Sequence, residues 1–276
     1  MAKDYVLAAL DMDGTLLNTR HVISPYTCEV MARAAREGCL IALSTGRCMS
    51  ELKRYLDAVP AIGYVIGESG GWIYDVRKDL TLRHIALDDA EVDFMLNAAE
   101  GMDVTWQAFV DNQSYIQFGK RRDWSHYRLG GFAEVFEMGS LFVDDVARLC
   151  HAHPGKVEKI NFFFSDEAEC RRFGELIAGR PLAFTGSIAL GYEVSPTHVS
   201  KAQGLRLLCE YLGLSVEQTM AVGDGGNDLD IMAAAGLAVA MGNAIKEVRD
   251  VADVITDDND HDGVAHAIEK YMLLSK

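Results

Sequence analysis

YVLAALDMDGTL, residues Tyr5 to Leu16, is an apolar run that ends in two aspartates one residue apart and then a glycine. A short apolar run closed by turn residues reads as a buried strand, which here delivers Asp11 and Asp13 to its C-terminal edge. In an open α/β sheet that edge is where ligands bind. Two carboxylates held there repel each other unless a cation or a shared proton intervenes. Hard oxygen ligands of this kind suit Mg²⁺, which takes one or two carboxylates and completes its shell with water and phosphate oxygens. Taken alone, the segment also suits an ordinary Asp-Gly turn with Asp11 as its cap.

Three further segments share this strand-then-turn pattern or its chemistry. CLIALSTGR, Cys39 to Arg47, is an apolar run ending in hydroxyls, glycine and a cation. Ser44 and Thr45 can donate to phosphoryl oxygens, Gly46 lets backbone approach closely, and Arg47 can pair with an anion; Ser-Thr-Gly is also common loop composition. Lys201 opens a segment with Leu205, Leu208, Cys209 and Leu212 at helical spacing. A lysine in the first turn is disfavoured by the helix dipole and wants an anionic neighbour, although a lone lysine is ordinarily a solvated one. TMAVGDGGNDLDIMAAAG, Thr219 to Gly236, is a short strand, a glycine turn and an alanine-rich helix opened by Asn227, Asp228 and Asp230. Caps account for Asn227 or Asp228, but less well for Asp224 at the strand's end.

In this order the four segments resemble the signature of the haloacid dehalogenase-like superfamily, DxDGT, a strand-end Ser or Thr, a lysine, and GDxxND, matched here by Asp11, Asp13, Gly14 and Thr15, by Thr45, by Lys201, and by Asp224, Asn227 and Asp228. The resemblance is closer still to the Cof-type phosphatases, because TGR follows the second strand, SKAQGL carries the lysine, and the tail from Met241 to Tyr271 fits that ending. It covers roughly Lys3 to Leu80 and Tyr192 to Tyr271. One departure is Glu68, Ser69, Gly70 and Gly71, where the family usually has Asn-Gly-Ala.

The resemblance implies a Mg²⁺-dependent phosphatase of small phosphorylated metabolites, sugar phosphates above all. Asp11 would attack phosphorus to form an aspartyl phosphate. Asp13 would protonate the leaving oxygen and then activate the hydrolytic water, Thr45 would hold equatorial oxygens, and Lys201 would neutralise charge. Thr45, Gly46, Arg47, Lys201 and Asn227 would bind substrate, with Glu193 a further candidate. Asp11, Asp13 through its carbonyl, Asp224 and Asp228 would hold the metal. The alternatives are a phosphomutase of the same superfamily and a regulator that binds a phosphometabolite without turnover.

At 276 residues, 49% of them hydrophobic and 24% charged, the chain has the composition of a folded protein with one large or two moderate cores. A net charge of −15 disfavours nonspecific binding to nucleic acid or an anionic membrane. The six cysteines form no CxxC pair, which predicts free thiols in a reducing cytoplasm. The N-terminal stretch reads as a strand rather than a signal peptide, and a monomer or homodimer is expected.

From Tyr5 to about Leu80 strands alternate with helices, at Pro25 to Glu37 and Ser50 to Asp57, and with strands at Leu40 to Ser44 and Tyr64 to Gly67. This predicts an α/β fold with a doubly wound parallel sheet. The middle reads as an α+β insert: a hairpin from Val104 to Val110 and Ser114 to Gly119, strands Lys156 to Ser165 and Leu182 to Ser187, and a helix Asp166 to Ala178. The predicted division is a Rossmann-like core of 1–81 and 190–276 with an insert at 82–189, which the Cof-type resemblance implies is a cap that closes over the site and sets specificity. Lys120, Arg121, Arg122, Trp124, His126, Tyr127 and Arg128 are either a solvated loop or a substrate-reading one. Cys150, His151 and His153 lack zinc-site spacing and read as the end of a helix.

Overall fold

Leu7, Ala8, Ala9 and Leu10 are almost wholly buried, and a four-residue run with no polar face is what a strand flanked by helices on both sides requires. This run is β1 (Leu7–Leu10) in the computed structural model, which describes residues 5–117, 123–186 and 190–273. The first part of the chain continues through α1 (Pro25–Arg36), β2 (Leu40–Ser44), α2 (Met49–Ala58), β3 (Ile62–Gly67), β4 (Trp72–Asp75) and β5 (Leu80–His84). The middle holds α3 (Asp89–Ala98), β6 (Val104–Val110), β7 (Gln113–Gln117), α4 (Ala133–Gly139), β8 (Ser140–Val143), α5 (Val146–His151), β9 (Val157–Phe164), α6 (Glu167–Ile177), β10 (Leu182–Gly186) and β11 (Gly191–Pro196). The last part holds α7 (Lys201–Leu212), β12 (Thr219–Gly223), α8 (Leu229–Ala234), β13 (Leu237–Ala240), α9 (Lys246–Val251), β14 (Val254–Ile255) and α10 (Gly263–Ile268).

The chain forms two compact units, one of residues 1–47, 54–83 and 200–276, the other of residues 48–53 and 84–199. The first is built on an eight-stranded sheet in the order β14-β13-β12-β1-β2-β3-β4-β5. It is parallel from β14 to β3, as the alternating pattern predicts, and turns antiparallel at β4, which pairs Tyr64 with Asp75 and Gly67 with Trp72. The antiparallel edge was not legible, because β4 follows β3 after only the tight 3-10 turn Glu68–Gly70 and no α-helix lies between.

The second unit is a six-stranded sheet in the order β10-β11-β9-β6-β7-β8, antiparallel except for the β7·β8 pair. One face buries Trp106, Ala108, Ile160, Phe162 and Val194 against side chains of α3, α5 and α6. The predicted hairpin is present, with Asp111 and Asn112 at its turn, both left-handed (φ 57° and 62°), as a two-residue turn demands. Cys150 and His151 close α5. Of the basic stretch, Lys120, Arg121 and Arg122 lie outside the described residues. Trp124 stacks on Phe136 in a second apolar cluster, Tyr127 packs against that cluster, His126 and Tyr127 bind Asp103, and Arg128 is exposed with Glu167 3.7 Å away. Among the described residues no helix is long and apolar enough to cross a membrane.

Candidate active site

β1 lies between β12 on one side and β2 on the other, so the sheet changes winding direction beside it. Parallel pairing sets Leu10 level with Val222 and with Leu43, which brings the chain just past all three strand ends to one edge. Asp11, Thr45 and Asp224 therefore meet at a topological switch point, the usual ligand crevice of such sheets. All the groups described next belong to the first unit.

Carboxylate oxygens of Asp11, Asp224 and Asp228 lie within 4.8 Å of one another. Lys201 Nζ donates to Asp11 Oδ1 and Asp228 Oδ1, each at 2.7 Å, and the ammonium is fully buried. Burial works against the charged lysine, but the charges of Asp11 and Asp228 outweigh it and hold the ammonium above its ordinary range. Burial pushes the Asp11 carboxyl up, Lys201 pulls it back, and Asp228 and Asp224 add to the rise. Asp224 is pushed up to about 6, first by burial, with Thr15 opposing and Asp228 adding. Three carboxylates against one ammonium leave a charge deficit that a divalent cation would close, and an all-carboxylate oxygen set is the donor chemistry Mg²⁺ prefers.

Asp13 points elsewhere. Its side chain is half exposed, and Arg47 grips it through Nε at 2.9 Å and Nη2 at 2.5 Å. Arg47, expected from the sequence to bind substrate, is paired with Asp13 in the structure. Thr45 is buried and its Oγ1 accepts from Arg47 N at 3.2 Å, which leaves the hydroxyl proton to donate. Gly46 lies between them in the same loop. Asn227 is exposed on the short helical turn after Gly225, directly before Asp228.

Several supporting residues carry no signal in a linear reading. Thr15 Oγ1 donates to Asp224 Oδ1 at 2.8 Å across 209 positions of sequence. Gly14 is left-handed (φ 81°), and a Cβ there would lie 2.4 Å from Asp224 Oδ2, so only glycine permits the approach. Asn243 Nδ2 donates to the Gly14 carbonyl at 2.8 Å. Asp228 Oδ2 accepts from the amides of Asp224 (3.1 Å) and Gly225 (3.2 Å), which leaves Oδ1 for the lysine. Asp230 accepts from Ala202 N at 3.1 Å and so fixes the start of α7 that presents Lys201. At the departing segment Glu68 and Ser69 are left-handed (φ 51° and 57°); their amides bond the carbonyls of Arg47 (3.1 Å) and Thr45 (2.9 Å), pinning the Thr45 loop.

Residues 8–268 match the family model described as haloacid dehalogenase-like hydrolase. The chain belongs to the haloacid dehalogenase-like hydrolases. Among its relatives in that superfamily is the phosphatase YwpJ of Bacillus subtilis (strain 168), 28% identical with 97% of this chain and 99% of the relative covered. The 5-amino-6-(5-phospho-D-ribitylamino)uracil phosphatase YcsE of the same organism is 29% identical over 98% of this chain and 97% of its own. A haloacid dehalogenase-like hydrolase from Bacteroides thetaiotaomicron superposes with a TM-score of 0.85 at 26% identity, covering 97% of this chain and 99% of that one. Phosphoric monoester hydrolase is the enzyme class that this haloacid dehalogenase-like chain shares with its named relatives.

Proposed function

We propose that the chain is a Mg²⁺-dependent phosphatase of small phosphorylated metabolites, sugar phosphates or related monoesters, acting through an aspartyl phosphate on Asp11. The observation that carries this reading is the buried Lys201 ammonium bridging Asp11 and Asp228 beside Asp224. Hydrolysis of a phosphate monoester is among the slowest uncatalysed reactions, so positioning and charge stabilisation are what an enzyme must supply. Asp11 Oδ attacks phosphorus in line as the bond to the ester oxygen breaks, and Asp13 delivers its proton to that leaving oxygen. Asp13 then takes a proton from water, the water oxygen attacks the same phosphorus, and inorganic phosphate leaves with Asp11 restored. Arg47 holds Asp13 in place, Thr45 donates to an equatorial oxygen, and Lys201 balances charge on Asp11 and the phosphoryl group.

Asp11, Asp224 and Asp228 would hold the cation together with the Asp13 carbonyl, and when bound it would neutralise developing phosphoryl charge. The inserted unit is assigned substrate choice. The relatives named for a ribitylamino-uracil phosphate support a small, hydroxylated leaving group. Free cysteines, five of the six buried, fit a reducing cytoplasm.

The test is phosphate release from a panel of phosphorylated metabolites with MgCl₂, with EDTA, and with Asp11→Asn. Release that needs the metal and disappears in the variant is expected. Binding without release, or an isomerised phosphoester as product, would replace hydrolysis with the regulator or mutase reading.

A further inference from the structure

In the second unit's sheet, Gln107 of β6 pairs in register with Asn161 of β9, and Asn161 with Glu193 of β11. Their neighbours Trp106, Ala108, Ile160, Phe162 and Val194 fill the apolar core, so alternation puts Gln107, Lys159, Asn161 and Glu193 together on the opposite face. A hydrogen-bonded chain runs along that face in one direction. Both oxygens of Glu51 accept, from Cys48 N at 3.4 Å and from Gln107 Nε2 at 3.1 Å, and Gln107 Nε2 also donates to Ser114 Oγ at 2.8 Å. A carboxylate can only accept, so Gln107 turns its nitrogen to Glu51 and its carbonyl to Asn161, whose Nδ2 donates to it at 2.9 Å. The chain therefore ends on Asn161 Oδ1, an acceptor.

That oxygen is buried without a donor, on a side chain only 8% exposed. A buried acceptor left so is costly, and native proteins rarely keep one without a reason. Two residues along β9, Lys159 offers the complementary chemistry: its buried ammonium lies 3.3 Å from Glu193 and 4.4 Å above the Phe109 ring. A hydroxyl both donates and accepts, and so meets Asn161 Oδ1 and the lysine at once. An aryl or alkyl group meets neither, and a carboxylate has no proton for Asn161.

We propose that Asn161, with Lys159 and Glu193 beside it, is a hydroxyl-reading subsite that selects polyol or sugar leaving groups. The proposal rests on the phosphatase reading and names the residues through which the inserted unit would choose substrate. Asn161 is the specificity-determining group, and Glu51 and Gln107 are positioning residues that fix which amide atom it displays.

The test compares kcat/KM for sorbitol 6-phosphate and phenyl phosphate in the wild type, Asn161→Leu and Asn161→Gln. In Asn161→Leu the preference for the polyol ester should fall about tenfold or more, the equivalent of one lost hydrogen bond in a desolvated site. Asn161→Gln keeps both the amide donor that Gln107 requires and the acceptor oxygen, and should keep most of the preference; it carries the test if Asn161→Leu fails to fold. An unchanged preference in Asn161→Leu, or its loss in Asn161→Gln, overturns the subsite. Should the wild type release phosphate from neither ester, the phosphatase reading falls. Calorimetric binding of sorbitol 6-phosphate to the wild type and Asn161→Leu then judges the subsite alone: weaker binding by the variant upholds it and equal binding ends it.

Discussion

Asp224 is held by opposing forces: burial and the Asp228 charge raise its pKa to about 6, while the Thr15 hydroxyl stabilises its ionised form. An acid whose folded pKa lies above its ordinary 3.8 binds more protons in the native than in the unfolded state between those values. Without a cation, stability therefore falls as pH rises from about 4 to 6 and does not return above it. A divalent cation on Asp11, Asp224 and Asp228 competes with those protons and binds best once they are gone. Saturating MgCl₂ should raise the melting temperature by about 5 °C or more at pH 8, and by clearly less at pH 5. An equal shift at both pH values would show that the ion binds elsewhere. Asp11, Asp13, Asp224 and Asp228 stood out in the sequence because strand ends and helix starts leave local patterns, whereas Lys201 stood out only through the family resemblance. Thr15 was visible only as part of a motif, and the roles of Asn243 and Asp230 not at all, because their partners lie far along the chain and only the folded sheet brings them near. Arg47 was read as a cation for substrate, and its pairing with Asp13, 34 positions away, is a contact that only the fold shows.

Within the second unit, the buried Glu158 of β9 ties two loops: its Oε1 takes a hydrogen bond from Asn112 N at 3.0 Å and contacts His84 Nε2 at 2.5 Å. The hydrogen bond to Glu158 raises the His84 pKa above its ordinary 6.5, with partial burial opposing. A histidine raised on folding stabilises the native state fully below its unfolded pKa and loses that contribution as pH climbs through the folded value. His84→Ala should therefore cost about 1.5–3 kcal/mol in urea unfolding at pH 6, and the gap to the wild type should close by pH 9. A gap that stays constant would mean that packing, not the charged hydrogen bond, is what His84 supplies. Elements with a clear period were legible: the alternation of Val104 to Val110 gave β6, and the acidic cap Asp166 opened α6 where the spacing placed it. β11 escaped as a strand, because only Tyr192 and Val194 are apolar in its six residues, too short an alternation to stand out.

Taken as one charge distribution, the protein is strongly acidic, with a net charge of −15, and the buried cations at the proposed site are already committed, Lys201 to Asp11 and Asp228 and Arg47 to Asp13. Composition alone thus disfavoured nonspecific grips on polyanions but said nothing of how a small dianion is admitted; that depends on side chains brought together by the sheet. Proteins that steer charged ligands do so with a surplus of opposite charge at the cleft, and added salt slows their association. Here the surplus has the same sign as the substrate, so the long-range field opposes encounter, and attraction begins only within reach of the bound cation and the hydrogen-bond donors. Salt at physiological strength shortens the range of that repulsion to about 8 Å. With MgCl₂ held saturating, kcat/KM for a dianionic phosphate ester should therefore rise, by about twofold, as NaCl goes from about 10 to 150 mM, while kcat stays level because bound substrate is beyond the screened field. A fall in kcat/KM over the same range would reveal a focused positive potential at the site that the paired lysine and arginine do not supply.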